Sequence, residues 1–186
     1  MAYDLEVPVP EGVRTKRRIL ETALDLFGSH GYEGASVRQL AHRMEFTPAA
    51  LYYHFDSKAD ILQGVVAPLL NDIDTILEDH TDSERILLER LIDILLKHRA
   101  IVSLLASDVS AARAPGIRER LEAQNRHFVN MIAGKDADEE RLVRVTAALG
   151  AVRRPLLDLH DVDLAAHRDL IVASALGALN PPFHIP

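Results

Sequence analysis

Neither cysteine nor tryptophan occurs in the 186 residues, and aromatic side chains make up only 5% of them. Without Cys there is no disulfide framework, no thiolate zinc site and no cysteine nucleophile. The sequence also lacks a glycine-rich phosphate loop, a Glu-x-x-His pair of the di-iron kind and a nucleophile–base set, so it reads as a non-enzyme with no cofactor. No uncharged run approaches the ~20 residues that a membrane span requires. The opening Met1-Ala2-Tyr3-Asp4-Leu5-Glu6 has no basic segment leading into an apolar core, as a signal peptide would. A cytoplasmic protein with no membrane partner is expected.

Positive charge is scarce too: 21 Lys and Arg stand against 28 Asp and Glu, a net of −7. Its distribution is uneven. Residues 12–58 hold seven Lys/Arg against five acids, whereas residues 61–186 hold 14 against 19. Such a local excess suits binding to a defined DNA site at moderate salt rather than coating of nucleic acid.

What is abundant is Leu, Ala, Ile and Val, within a hydrophobic content of 48%. Straight-chain and γ-branched side chains lose little rotamer freedom in a helix, and Gly and Pro fall between the periodic stretches. An all-α fold is expected. Residues 1–12 read as a disordered lead. A helix over about 15–30 follows from the stripe Ile19, Leu20, Ala23, Leu24 and Phe27, closed by Gly31 as a left-handed cap. Ser36 with Gln39 forms a capping-box pattern opening a helix of about 36–44. Thr47-Pro48 opens another of about 48–54, and Ser57 with Asp60 opens a long one to about Asp79. Three start signals this close together mean short helices joined by tight turns, the pattern of a helix-turn-helix.

In that motif the second helix presents its N-terminal face to base edges in the major groove. Val37, Leu40, Ala41 and Met44 give the first helix its apolar side, and Leu51 and Phe55 face inward from the second. Thr47, Pro48, Ala49, Tyr52 and Tyr53 are left toward the groove. Two adjacent tyrosines cannot share one core, so at least one is exposed. His54 and Lys58 are placed for phosphate. The run Arg14, Lys16, Arg17, Arg18 reads equally as a solvated helix start or as phosphate or minor-groove contacts.

The strings Ile19-Leu20-Glu21-Thr22-Ala23-Leu24-Asp25-Leu26-Phe27, Gly31-Tyr32, Ser36-Val37-Arg38-Gln39-Leu40-Ala41, Leu51-Tyr52-Tyr53-His54-Phe55 and Ser57-Lys58 resemble, in that order, the N-terminal domain of the TetR (tetracycline repressor) family. The resemblance implies a three-helix DNA-binding domain over 13–58 and a larger helical ligand-binding and dimerisation domain over 59–180, with an irregular tail at 181–186. It implies a repressor that binds a palindromic double-stranded DNA operator as a dimer and is released by a small-molecule effector. By position, the DNA contacts it implies are Ser36, Arg38, Thr47, Pro48, Ala49, Tyr52, Tyr53, His54 and Lys58. Two departures stand out. Glu45 occupies a turn position where the family usually has Gly, and Pro48-Ala49 stand where a polar or basic residue and Gly are common. A regulator of the same fold that binds DNA for architecture, or binds a protein partner, without an effector is the second reading.

Beyond the motif, Ser83 to Ala106 carries Ile or Leu on nearly every side and reads as one central helix. Pro115-Gly116 precedes a helix of about 117–133, and two more cover about 138–159 and 163–179. Their small residues, Ala147, Ala148, Gly150 and Ala151 in one and Ala173, Ala175, Gly177 and Ala178 in the other, fit close helix approach. These two helices are the homodimer interface the resemblance implies. For the effector, of unknown identity, the expected pocket residues are Leu62, Val66, Leu69, His98, Leu104, Leu105, Phe128 and Met131. His160, Asp161, Asp163 and His167 straddle a turn, where Asp161 or Asp163 fits a helix cap, and no metal is expected.

Overall fold

The computed structural model describes residues 10–79 and 83–180. Among them every regular element is a helix. The chain divides into two compact units, one up to Val65 and one from Val66. The expected lead at 1–12 lies outside the described residues up to position 9, as does the tail at 181–186.

The first unit is built from α1 (Glu11–His30), α2 (Val37–Arg43), α3 (Pro48–Tyr52) and the beginning of α4 (Lys58–Glu78). α1 starts four residues earlier than the apolar stripe indicates, because Pro10 fixes the N-cap backbone and Glu11 places a carboxylate in the first turn. Ile19, Ala23, Leu26 and Phe27 form its buried side. Leu40, Ala41 and Met44 of α2 and its end, Leu51, Phe55, and Ile61, Leu62 and Val65 complete this core. The three start signals are present as hydrogen bonds. The Ser36 hydroxyl accepts from the Gln39 amide while the Gln39 side chain accepts from the Ser36 amide. Thr47 caps Ala50, and the Ser57 hydroxyl accepts from the Asp60 amide. The return half of the last box is displaced, since the Asp60 carboxylate takes its bond from the Asp56 amide.

The second unit holds the rest of α4, then α5 (Glu84–Lys97), α6 (Arg99–Ser107), α7 (Val109–Ala112), α8 (Ile117–Ala133), α9 (Glu139–Asp158) and α10 (Arg168–Leu179). The single central helix expected from Ser83 to Ala106 is two helices. His98, at φ −107° and ψ 29°, ends α5 and begins α6, and its Nε2 lies 2.7 Å from an Asp72 carboxylate oxygen. Nor is α5 buried all round: Leu87, Leu88, Leu91, Ile92 and Leu95 are buried, and Ile86 is exposed. Proline is not confined to linkers either, since Pro68 lies inside α4 and Pro155 inside α9. The last helix begins later than 163, because the Asp163 carboxylate accepts from the amides of Ala165 and Ala166 in a turn that precedes it. α9 and α10 make the most extensive helix pair of the unit. No described helix is long and apolar enough to cross a membrane.

Candidate nucleic-acid interface and internal cavity

α2 ends in a turn whose hydrogen bonds define it. The Phe46 amide donates to the Ala41 carbonyl at 2.9 Å and the Glu45 amide to the His42 carbonyl at 3.2 Å. This is a Schellman motif, in which the residue after the cap adopts a left-handed backbone. Glu45 holds that place at φ 58°, the one non-glycine residue with positive φ among those described. A Cβ there costs about 1–2 kcal/mol. The turn therefore keeps its geometry without the usual Gly, held by the buried Leu40, Ala41 and Met44 before it and Leu51 after it.

α3 is short and two-sided. Leu51 is fully buried and Phe55, four residues on, is nearly so. Thr47, Pro48 and Ala49 are exposed, with Tyr52 and Tyr53 at 52% and 86% exposure. The Tyr53 ring meets the His54 ring edge-on, at 5.2 Å between centroids. Ser36, Arg38, Gln39, His42 and Arg43 are exposed on α2 and at its cap. Arg38, His42 and Arg43, with His30 of α1, rim a depression of about 290 Å³. The sequence reading left out Gln39, His42 and Arg43. Their signal was positional: His42 and Arg43 stand in the exposed last turn, and Gln39 in the first turn, of a helix whose other side is apolar.

Several expected contacts already have structural duties. The Ser36 hydroxyl donates to the Gln39 side chain at 2.8 Å as well as capping its amide, and Thr47 spends an acceptor on Ala50. Lys58 differs most from expectation. Its ammonium donates to the main-chain carbonyls of Tyr32 and Ala35 at 2.9 and 3.1 Å and sits over the Tyr32 ring. The charge expected to face phosphate is turned to the protein, closing the α1–α2 turn over a tyrosine whose phenol is raised above its ordinary pKa by burial and by Glu33. Within that turn Gly31 has φ 73° but ψ 156°, so it is an extended glycine-only conformation and not the left-handed cap expected. A Cβ on Gly34 would stand 2.3 Å from the His30 carbonyl oxygen. In the basic run, Lys16 lies 4.9 Å from the centroid of the Phe55 ring and Arg17 pairs with Glu21.

In the second unit α4, α5, α6, α8 and α9 line a partly open cavity of about 260 Å³. Of the expected pocket residues Leu69, Leu105 and Phe128 line it; Leu62, Val66, His98, Leu104 and Met131 do not. Leu62 belongs to the core of the first unit, and His98 is committed to Asp72. The cavity's polar side chains, Gln124 and Asn125 on α8 and Arg153 on α9, were not foreseen. Behind Gln124, Asp74 accepts from both Gln124 and Arg120. Burial opposes its ionisation, yet those bonds prevail and hold its carboxyl below the ordinary range. Among the described residues no group of His, Asp and Glu is arranged for a metal.

The comparisons with known proteins agree with this division. Residues 19–65 match the family model for bacterial regulatory proteins of the tetR family. Over 57 residues the chain is 37% identical to the HTH-type transcriptional regulator SrpR of Pseudomonas putida, covering 31% of this chain and 27% of that protein. Over 69 residues it is 33% identical to IcaR, the negative regulator of the biofilm operon icaADBC in Staphylococcus epidermidis, covering 37% of each. The chain thus spans well under half the length of these curated relatives. The fold extends further: NalD, described as the secondary repressor of the MexAB-OprM multidrug efflux pump in Pseudomonas aeruginosa, superposes with a TM-score of 0.71 at 20% identity, over 93% of this chain and all of that one. Residues 19–65 thus form a domain of the type found in bacterial regulatory proteins of the tetR family, and the chain as a whole shares the fold of solved regulators such as NalD.

Proposed function

We propose that this protein is a transcriptional repressor that binds a palindromic DNA operator as a homodimer and is released by a small-molecule effector. The observation that carries the DNA reading is the two-sidedness of α3: Leu51 and Phe55 are locked into the core while Tyr52 and Tyr53 stand in solvent beside the small residues Pro48 and Ala49. Small residues at the start of the helix let the backbone approach base pairs closely. The phenols and Arg38 then supply hydrogen bonds to phosphate. With few polar side chains at Pro48 and Ala49, sequence is read largely through contacts with thymine methyls and through DNA shape.

Support for the dimer lies on α9 and α10. Of their small residues, Ala148 and Ala175 are buried inside the chain, Ala151 and Ala178 are half-buried, and Ala147, Gly150, Ala173 and Gly177 are exposed. The two glycines have open space where a Cβ would be, so intrachain packing does not account for them. Val143 and Leu170 are 68% and 65% exposed, and Leu159 flanks a groove shared by the two helices. A two-fold dimer would cover these apolar side chains and present two reading helices to two half-sites.

The test is a mobility shift of the purified chain on the intergenic DNA upstream of its own gene, with salt and unrelated competitor titrated. A discrete band that survives competitor is expected. Binding that competitor removes in proportion to its mass would instead favour an architectural role without an operator.

A further inference from the structure

The cavity of the second unit has apolar walls and an imbalance among its polar groups. Leu69, Ile73, Leu91, Leu95, Leu105 and Phe128 supply most of its surface. Arg153 enters from α9, and the only hydrogen bond it makes among the described residues is to the neutral Asn125 Oδ1, at 2.7 Å. Several arginines of this unit find carboxylates (Arg120 with Asp74, Arg141 with Glu84, Arg154 with Asp158, Arg168 with Asp93), and Arg99 donates to the carbonyls of Leu159, His160 and Val162. Arg153 has no carboxylate partner among the described residues, and burial alone pushes its guanidinium below the ordinary arginine range. A guanidinium has five N–H donors in a planar fork that matches an oxyanion, and the half-buried Arg153 uses only one nitrogen of that fork on a partner among the described residues.

The second imbalance is at Gln124. Its Nε2 donates to the Leu70 carbonyl at 2.7 Å and to Asp74 at 2.6 Å. Those two acceptors fix the amide orientation, because the flipped amide would set oxygen against oxygen. Its Oε1 is then a buried acceptor with no donor among the described residues, an uncommon condition.

We propose that this cavity takes an amphipathic anion: an aliphatic or aryl body against the leucines and a carboxylate or phosphate-ester head on Arg153, beside the amide-bearing Gln124 and Asn125. The inference names the effector class for the ligand-responsive reading above and rests on that reading for its regulatory meaning. Binding itself does not depend on DNA. The volume, about 260 Å³, suits a medium-length chain.

The test is calorimetric titration of the full chain with octanoate, octyl phosphate, 1-octanol and octylammonium. Saturable binding of octanoate or octyl phosphate, at least tenfold tighter than 1-octanol and with octylammonium weakest, is expected, and the better of the two identifies the head. Arg153→Met should cost the anion at least tenfold and leave 1-octanol unchanged; Arg153→Lys should recover part of the loss. Equal binding of the alcohol, preference for the ammonium, no binding of either anion, or an Arg153→Met variant that folds and still binds the anion would overturn the proposal. The same ligands are then added to the operator complex. An anion that binds but leaves the complex intact counts against release by an effector and spares the site. Release by octylammonium and not by the anions sinks the site and spares the regulatory reading.

Discussion

The Lys58 ammonium donates to the main-chain carbonyl of Tyr32 at 2.9 Å and lies 4.4 Å from the centroid of that residue's ring. With the bond to the Ala35 carbonyl, one side chain at the start of α4 holds both ends of the turn that delivers α2. Lys58→Met removes charge-assisted bonds worth about 2 kcal/mol in all and should lower the melting temperature and weaken operator binding together. If Lys58 acts through this turn, the dependence of log Kd on log salt keeps its slope. A direct phosphate contact would instead reduce the slope by about 1.

At Glu45 the strain of a left-handed backbone and a carboxylate within the helix-turn-helix coincide. Glu45→Gly relieves about 1–2 kcal/mol of steric cost and gives back part of it as unfolded-chain entropy. The expected net is a stabilisation of about 0.5–1 kcal/mol, read from thermal or urea unfolding. Operator affinity measured by anisotropy should also rise at low salt, with the gain shrinking as salt screens the lost charge.

Tyr53 offers a cleaner probe of the interface, because at 86% exposure it contributes little packing. Tyr53→Phe should leave stability within about 0.5 kcal/mol. It should weaken DNA binding by a factor of two to ten (about 0.5–1.5 kcal/mol), similarly across operator variants, as expected for a phosphate hydrogen bond. Unchanged affinity would remove the Tyr53 hydroxyl from the contact set.

The contrast between what the sequence disclosed and what it hid has a physical origin. Ser36, Gln39, Thr47 and Pro48 act over three or four residues, so their spacing alone locates α2 and α3. Leu51 and Phe55 reveal the buried side by the same local periodicity. The break at His98 involves no Gly or Pro and is accompanied by a bond to Asp72, 26 positions away, which no local pattern encodes. The role of Lys58 likewise depends on Tyr32, 26 residues earlier. The cavity is hardest to read, since five helices contribute to it, and an unpaired Arg153 becomes visible only when every neighbouring acid has been located. Expected pocket residues such as Leu104 have the right chemistry and lie outside its lining.

Asp72 and Asp74 tie stability of the second unit to acid pH. Hydrogen bonds from Lys97 and then His98 hold the Asp72 carboxyl below its ordinary value, and Asp74 is lowered by Gln124 and Arg120 against burial. A carboxyl whose folded pKa lies below its unfolded one, near 3.9, stabilises the fold above that unfolded value and loses the contribution as pH falls through the folded one. Stability should therefore decline below about pH 4. Asp74→Asn should reduce that decline and cost about 1 kcal/mol at pH 7, a figure already discounted for a side chain that is 38% exposed. Chemical denaturation at pH 7, 4 and 3 measures both effects.

The dimer reading turns on Leu170, which projects from α10 at 65% exposure while Ile171 and Val172 beside it are buried. In an isologous interface a substitution occurs twice, so Leu170→Glu would place two carboxylates in or near one apolar patch. Because Leu170 adds little to the packing of its own chain, the variant should keep its helical content and its unfolding transition at low protein concentration. Its sedimentation should shift from dimer toward monomer. Operator binding should then fall steeply, since each subunit supplies a single short reading helix and the pair gains affinity by engaging both half-sites at once. A variant that remains dimeric would place the subunit contact elsewhere and leave the exposed Leu170, Val143 and Gly177 without the partner surface assigned to them.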